Sequence, residues 1–471
     1  MGCSSSKTKV ETLNAGSSFD DAEFETWSHQ HASRLHLTPS AFADRLGLLQ
    51  ERFPHEVDIE LTEDRAITVP QLEKIVSFVE QECHHWEDSD ARSKTYGQRL
   101  SKEIVNLYHF NNWVILPATR KHRSALVEHL AKAAQPPDWF CSHFWGEPII
   151  QFAGCVRLHR RSRGLPLTSA AYWVCAYANR QHSLGTELVH NPRQTSFYKA
   201  MLKSQGTLVI LDEQCTPFTR VWCAFEEYCS INEISGLLLD FAHNDGQGGT
   251  DLLTDGLAAA EQKLDEMIPG RNMGLALKQC RETTFPIQVL KRGLKPKLQD
   301  AKASVEADRK HILNCLVEVE DLDQEPPMDH PIYAKVNKRL GARFALAYWM
   351  QAHQARQLGA LQLPETLAAD EWKLDFTLGF DGGSAFPDTL RHVVGSLPSG
   401  VQLLHLSFKD CKDTISDEGL AALAAQFPKQ RLQQLILNFD KCTNITDSGV
   451  AALAWQRLQC SSRSKRCRSS A

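Results

Sequence analysis

The stretch that decides the fold is GTLVILDEQCTPFTRVWCAFEEY, residues 206–228. Residues 207–211 form a short run of apolar and β-branched side chains, which is typical of a strand buried on both faces. The polar residues 212–220 include a proline, so the strand is expected to end there in a loop. Apolar side chains then recur at helical spacing over residues 221–231, which predicts a helix. A strand, a loop and a helix in this order form the repeating unit of a parallel sheet.

The same alternation extends to both sides of this stretch. Upstream, DWFCSHFWGEP (residues 138–148) predicts a strand that runs into a Gly-Glu turn and then a helix. The other predicted elements are strands at 172–177, 237–241 and 285–290 and helices at 149–161, 196–204 and 253–267. Strands that alternate with helices predict an α/β fold, with a parallel sheet that helices cover on both faces.

Two motifs in this region resemble those of Toll/interleukin-receptor (TIR) domains. Domains of that family open with a strand that runs into a Gly-Glu turn, as at 146–147. They also carry a Trp-Cys-x-x-Glu motif on the helix after the third strand, as at 222–226. The resemblance covers residues 136–300 and implies a flavodoxin-like parallel sheet.

The chain departs from the TIR pattern at two places and has a second resemblance nearby. Trp145 stands where the family commonly has an arginine, and the loop at 178–195 is longer than usual. The stretches 106–119, 172–182 and 303–315 also resemble a large, poorly characterised family of protist proteins. That second resemblance implies a shared core and no particular activity.

The TIR resemblance implies a catalytic role for Glu226, because TIR domains that cleave the nicotinamide–ribose bond of NAD use a glutamate at this motif position. NAD is then a possible substrate, and no cofactor is required. A carboxylate can hold ribose hydroxyls and stabilise a developing oxocarbenium ion. The alternative is a structural role, in which an acidic residue early in a helix favours the helix dipole. Glu227 points about 100° away around the helix and is not expected to share the role.

The predicted sheet also indicates where a ligand pocket would lie. In an open parallel sheet, ligands bind outside the carboxyl ends of the strands, where the strand order reverses. If the order is 2-1-3-4-5, the turn after the first strand and the loop after the third strand meet at that edge. The candidate ligand-binding residues are His143, Trp145, Gly146, Glu147 and Trp222, followed by Asn179 and His182 in the long loop.

The first residues, MGCSSSK, match the signal for N-myristoylation of Gly2. Cys3 lies beside the acylated glycine, which is a typical position for palmitoylation. Because one myristoyl chain gives only marginal membrane binding, the second chain is needed for a stable anchor. We predict that acyl groups on Gly2 and Cys3 hold the protein on the cytoplasmic face of a membrane. The alternative is an unmodified tail.

The composition excludes several classes of protein. The net charge of −5 provides no overall basic field for binding nucleic acid. No apolar run approaches the length of a membrane-spanning helix, and no secretory signal is present. The 14 cysteines lack paired CxxC spacing, so no metal site is predicted. Cys223, Cys229 and His182 could be drawn as ligands, but buried thiols are favoured.

The C-terminal third contains an internal repeat with a period of about 30 residues. VQLLHLSF at 401–408 is echoed by LQQLILNF at 432–439, and an Asp-x-Gly follows each copy, at 417–419 and at 447–449. A weaker copy lies at 376–380. The pattern resembles leucine-rich repeats of the ribonuclease-inhibitor-like class. One such repeat cannot bury its own apolar face, so neighbouring repeats are expected to stack.

These features predict six segments along the chain. They are an acylated flexible tether (1–68), a helical region (69–135), a TIR-like α/β domain (136–300), a helical linker (301–358), a leucine-rich-repeat-like segment (359–458) and a basic tail (459–471). Two functions fit this organisation. The favoured one is a membrane-anchored signalling adaptor that acts through self-association or through protein partners. The other is a TIR-type NAD glycohydrolase that self-association activates.

Overall fold

The computed structural model describes residues 21–91, 93, 95–187, 189–269, 273–354, 371–375, 402–408, 415–426, 434–440 and 442–451. The predicted acylation sites Gly2 and Cys3, the weaker repeat copy at 376–380 and the basic tail lie outside the described residues. None of the helices in the described part of the chain combines the length and the apolar composition of a membrane-spanning helix.

A six-stranded, mostly parallel sheet forms the centre of the molecule, so the predicted mixed α/β class is confirmed. Its strands are β1 (Ile67–Thr68), β2 (Trp139–His143), β3 (Ala171–Trp173), β4 (Gly206–Leu211), β5 (Leu238–Asn244) and β6 (Thr250–Leu253), in the order β1-β3-β2-β4-β5-β6. The strands from β2 to β5 pair in parallel, and β1 and β6 pair antiparallel at the two edges. The predicted position of the pocket assumed the strand order 2-1-3-4-5. The four parallel strands, in the order β3-β2-β4-β5, follow the first four places of that order.

Helices surround this sheet. They are α1 (Asp21–Arg34), α2 (Pro39–Arg52), α3 (Val69–Glu82), α4 (Leu107–Phe110), α5 (Leu116–Thr119), α6 (Ile149–Ser162), α7 (Cys175–Ala178), α8 (Leu184–Glu187), α9 (Ser196–Lys203), α10 (Val221–Tyr228), α11 (Ala259–Met267), α12 (Met273–Glu282), α13 (Ile287–Gly293), α14 (Glu306–Leu316), α15 (Pro331–Gln354) and α16 (Asp417–Gln426). Along β4, Leu208 and Ile210 belong to one hydrophobic core, whereas Val209 and Leu211 belong to another. Since successive strand residues face opposite sides, both faces of the sheet are buried.

The predicted fifth parallel strand at 285–290 is wrong. Those residues lead into α13, whose first turn follows Pro286. The apolar residues Phe285, Val289 and Leu290 are all buried, at the spacing of a helix that buries one face. The outer position in the sheet is taken by β6, which returns antiparallel to β5 through a tight turn.

Residues 21–68, for which the sequence suggested a flexible tether with some helix, form α1, α2 and β1. Phe42 and Leu49 lie seven residues apart on α2, two helical turns, and are buried in the core on one face of the sheet. The Thr38 side chain accepts a hydrogen bond from the backbone N–H of Ala41 and so caps the start of α2. Caps and a few well-spaced apolar residues are thus enough to fold this polar segment onto the sheet.

A buried polar network ties β5 to α6. Asp240 is fully buried, and its carboxylate accepts hydrogen bonds from Arg163 at 2.8 and 2.6 Å. His159 Nε2 lies 3.0 Å from the same carboxylate, and the backbone N–H of Asp255 donates to it at 2.8 Å. Burial alone would raise the pKa of Asp240, but the hydrogen bonds from His159 and Arg163 hold that pKa below its usual value. The carboxylate therefore stays charged at neutral pH, between two partners.

A second, three-stranded sheet contains the two clear copies of the sequence repeat, preceded by a strand that lies just before the weaker copy predicted at 376–380. Its parallel strands β7 (Glu371–Asp375), β8 (Leu403–Ser407) and β9 (Gln434–Asn438) pair in chain order. Leu406 lies opposite Leu437, at the equivalent position of the two repeats, and opposite Leu374 on the other side. Leu404 and Leu406 also pack into one of the cores of the large sheet. The repeats thus stack in register and lean on the α/β region.

Candidate functional site

A cavity of about 200 Å³ opens at the carboxyl edge of the large sheet. The strands β2 and β4 are neighbours there, but the chain between them leaves to form β3 on the far side of β2. The strand order therefore reverses between β2 and β4, which is where open parallel sheets bind ligands. The lining includes His143 at the end of β2 and Glu226 on the helix that follows β4.

The structure brings together five of the predicted site residues and separates the others from them. His143, Trp145, Trp222 and Glu226 line the cavity, and so does the weaker candidate Asn179 from the long loop. By contrast, Gly146, Glu147 and His182 do not line it. Gly146 is half-buried in the turn, whereas the neighbouring Glu147 is buried.

Gly146 and His182 have structural roles of their own. A Cβ atom at position 146 would lie 2.2 Å from the ring of Phe144, so a larger residue in this turn would require that ring to move. His182 Nε2 lies 3.1 Å from the carbonyl oxygen of Leu116, on the side of the N-terminal helices. Burial lowers the pKa of His182 to about 3. Cys223 and Cys229 are buried thiols, as predicted, and the described residues do not bring them together with His182 as metal ligands.

Glu226 is the most unusual group in the cavity. Its side chain is 4% exposed, and its Oε2 atom has no hydrogen-bond partner. Burial raises its pKa from an ordinary value of 4.5 to about 8, and the neighbouring Ser142 hydroxyl offsets only part of that effect. Buried polar atoms in native proteins almost always have a partner. Glu226 therefore combines a buried carboxyl oxygen without a protein partner and a position in the cavity wall, and these two properties make it the candidate group for contact with a ligand.

Two more carboxyl groups are buried near this one. Burial raises the pKa of Glu227 and of Glu147 well above the usual range, and in each case a nearby acidic group, Glu226 or Asp212, adds to the effect. Glu226 lines the cavity and Glu227 does not, as expected for two neighbouring helix residues that point in different directions. Burial raises the pKa of the Cys223 thiol, and both carboxyl groups nevertheless add to that effect.

Aromatic rings form much of the cavity wall. Trp222 stacks on Phe197 with ring centroids 5.1 Å apart, and its Nε1 donates to Asp308 Oδ2 at 3.2 Å. Trp145 donates through Nε1 to the sulfur of Cys175 at 3.1 Å. These contacts fix both indole rings, so the cavity presents rigid apolar faces beside the Glu226 carboxyl group.

The sequence did not indicate the residues that close the cavity from the far side. Arg220 precedes the motif helix, and Lys302, Ser304 and Asp308 belong to the segment predicted as a linker. The backbone N–H of Val221 donates to the carbonyl oxygen of Lys302 at 3.0 Å, which fastens this segment to the start of α10. The predicted boundary at residue 300 therefore passes through the cavity wall. Trp145 carries no charge, so the positive charge at the cavity comes from Arg220 and Lys302 instead.

The stability of the fold should depend on pH through Glu226. Its pKa is higher in the folded chain (about 8) than the ordinary value of 4.5, so the folded state binds an extra proton between those pH values. The stabilisation is complete below pH 4.5 and is lost as the pH rises to 8. Relative to Glu226→Gln, the free energy of unfolding of the parent should fall by about 1.4 kcal/mol per pH unit in this window. Urea denaturation of both proteins at several pH values measures the difference; parallel pH profiles would contradict the assignment.

A comparison with models of known protein families, with curated proteins and with solved structures finds no match to this chain. The site is therefore interpreted from its own residues.

Proposed function

We propose that this protein is a TIR-type NAD glycohydrolase and that the cavity around Glu226 is its active site. The observation that carries the proposal is the unpaired, buried Oε2 atom of Glu226 in a cavity at the point where the strand order reverses. Trp222 and Trp145 line the same cavity and offer faces to a flat ring such as nicotinamide. Arg220 and Lys302 are placed to attract a pyrophosphate.

The reaction would break the bond between the ribose C1′ and the nicotinamide nitrogen. The bonding electron pair leaves with nicotinamide, which becomes neutral, and water adds to C1′ and releases a proton. Positive charge develops on the ribose in the transition state, so a carboxylate beside it is stabilising. The bound nicotinamide ring is itself cationic, and it would favour the ionised form of Glu226 over the protonated form that burial favours.

The volume of the cavity limits how much of an NAD molecule it would hold. About 200 Å³ is smaller than the roughly 300–1,000 Å³ of typical ligand pockets. The nicotinamide and its ribose would occupy it. A second cavity of about 160 Å³ shares Trp222 and Asp308 with the first and would receive more of the ligand.

The direct test is to incubate the purified full-length protein with NAD, with and without a crowding agent, and to measure nicotinamide release. Release that rises with crowding supports an enzyme that self-association activates. If no nicotinamide appears under any assembly condition, the proposal is wrong.

A second candidate function is that of a signalling adaptor, with flavodoxin-like TIR and leucine-rich-repeat modules that bind protein partners. The observation that favours it is the open edge of the repeat sheet. Among the described strands, β9 pairs on one side only, and all five of its residues are half-buried. An unpaired strand edge can add a strand from a partner. Under this proposal, no nicotinamide is released and the repeat segment alone retains partners.

Either function would be carried out at a membrane, since we also propose acylation at Gly2 and Cys3. Gly2→Ala should make the protein cytosolic, because both acyl groups depend on the first. Cys3→Ser should leave weak, transient binding, since one myristoyl chain is marginal. Fractionation of cells that express each variant measures this distribution. Full recovery of Gly2→Ala with the membranes would contradict the anchor.

A further inference from the structure

Three side chains from separate segments converge beside the second cavity. His190 lies in the loop after α8, His311 on α14, and Asp323 in the loop after α14. One ligand atom from each lies within 4.8 Å of the other two, and this is the one such group of three among the described residues. His311 Nε2 is 2.8 Å from Asp323 Oδ1, and His190 Nε2 is 3.4 Å from Oδ2.

Contacts outside the cluster hold each of these segments in place. Asn314 is fully buried on α14, and its side chain donates to the carbonyl oxygens of Leu322 and Gln324, on either side of Asp323. The loop that carries His190 continues into Arg193, which forms two hydrogen bonds with Glu233 at 2.7 and 3.0 Å. These contacts place the three backbone segments close together, and the two histidines then contact the Asp323 carboxylate directly.

Two imidazole nitrogens and one carboxylate form a ligand set suited to a divalent transition metal. The two imidazole rings lie 4.1 Å apart between their centroids. Donors about 2.1 Å from a tetrahedral zinc ion lie about 3.4 Å apart. The distance from His190 to Asp323 equals that value, whereas His311 lies at a hydrogen-bond distance of 2.8 Å from Asp323, so side-chain rotation would have to complete the coordination.

We propose that His190, His311 and Asp323 form a binding site for a divalent transition metal, with zinc as the ion of choice. Three protein ligands leave one tetrahedral position open, which is the arrangement of zinc sites that bind water or a ligand. His190 and His311 both line the cavity of about 160 Å³, together with Trp222 and Asp308. The open position would thus face a cavity whose wall is shared with the Glu226 site. The metal would fasten the loop before α9 to α14.

The test is a titration of the metal-free, full-length protein with Zn²⁺ in a calorimeter, and with Co²⁺ by visible absorption. One equivalent should bind, and Co²⁺ should give the absorption bands of a low-coordinate site. Loss of a residue that merely orients a metal ligand typically weakens binding by about 10- to 100-fold. His190→Ala, His311→Ala and Asp323→Asn, each of which removes a ligand, should weaken it by at least that factor.

The matched control is the double variant His84→Ala/His85→Ala. These two histidines are exposed, with ring centroids 3.8 Å apart, but no carboxylate converges on them. The control should bind metal as the parent does. His190 and Asp323 are exposed, with 57% and 74% of each side chain accessible, so their variants should melt at the parent temperature without metal. Absence of stoichiometric binding to the parent, or equal affinity in the parent and the three ligand variants, would overturn the proposal.

Discussion

Glu226→Gln should reduce the release of nicotinamide from NAD by about 100- to 1,000-fold, the usual effect of removing one preorganised group that stabilises transition-state charge. Glutamine keeps the shape of the side chain but cannot carry the negative charge that opposes the ribosyl cation. The fold should survive, because burial keeps the Glu226 carboxyl group largely protonated at neutral pH and the neutral amide resembles that form. Nicotinamide release under the most active assembly condition is the measurement.

The neighbouring residue provides the control. Glu227 has the same charge and the same length and is even more deeply buried, but it does not line the cavity. Glu227→Gln should therefore keep the parent rate to within a few-fold, on the order of 1 kcal/mol or less. If Glu226→Gln cleaves NAD as fast as the parent, the site assignment fails although the activity stands. If both variants lose activity and both melt early, the loss reflects the fold and the role of Glu226 is contradicted.

Asp240→Asn should destabilise the folded protein by about 3–5 kcal/mol, the range seen when one partner of a buried ion pair is removed. The Arg163 side chain is 8% exposed, so its charge would remain buried without the carboxylate that balances it. The asparagine amide also has one oxygen fewer to accept the four contacts that Asp240 makes. Chemical denaturation of parent and variant at pH 7 measures the difference.

A surface pair serves as the matched control for this prediction. Glu73 and Arg157 form an equally close two-point contact, at 2.5 and 2.6 Å, but their side chains are 39% and 44% exposed. Because water screens such pairs, Glu73→Gln should cost less than about 1 kcal/mol. Equal costs for Glu73→Gln and Asp240→Asn would show that the buried network contributes nothing beyond its surface counterpart.

Much of the large sheet could be predicted from the sequence because its parallel strands have clear apolar patterns. A strand buried on both faces needs a continuous apolar run, and residues 207–211 have one with no helical spacing. The run at 285–290 is different, since Phe285, Val289 and Leu290 fit a helix equally well. Six residues are too few to separate the two periods. Packing against α15 favours the helix there, and the sequence of residues 285–290 alone does not predict that packing.

The candidate site was predictable where it depends on strand ends and not where the chain returns from a distance. His143 and Glu226 follow from the position of β2 and α10 once the strand order is known. Lys302 and Asp308 reach the cavity only because the chain returns to it after α13. No local sequence pattern predicts that return. The histidine–carboxylate cluster could not be predicted for a related reason. His190, His311 and Asp323 are far apart in sequence, so they form none of the short spacings that indicate a metal site.

The return of residues 302–308 to the cavity wall has a consequence for how the protein is made. A ribosome releases the chain from its N-terminus, so β4 and α10 emerge before the segment that closes the cavity. Until Lys302 pairs with the start of α10, the cavity beside Glu226 lacks the wall that residues 302–308 provide. A nascent chain that has completed its central sheet therefore still lacks the complete cavity, which closes only after this segment has left the exit tunnel.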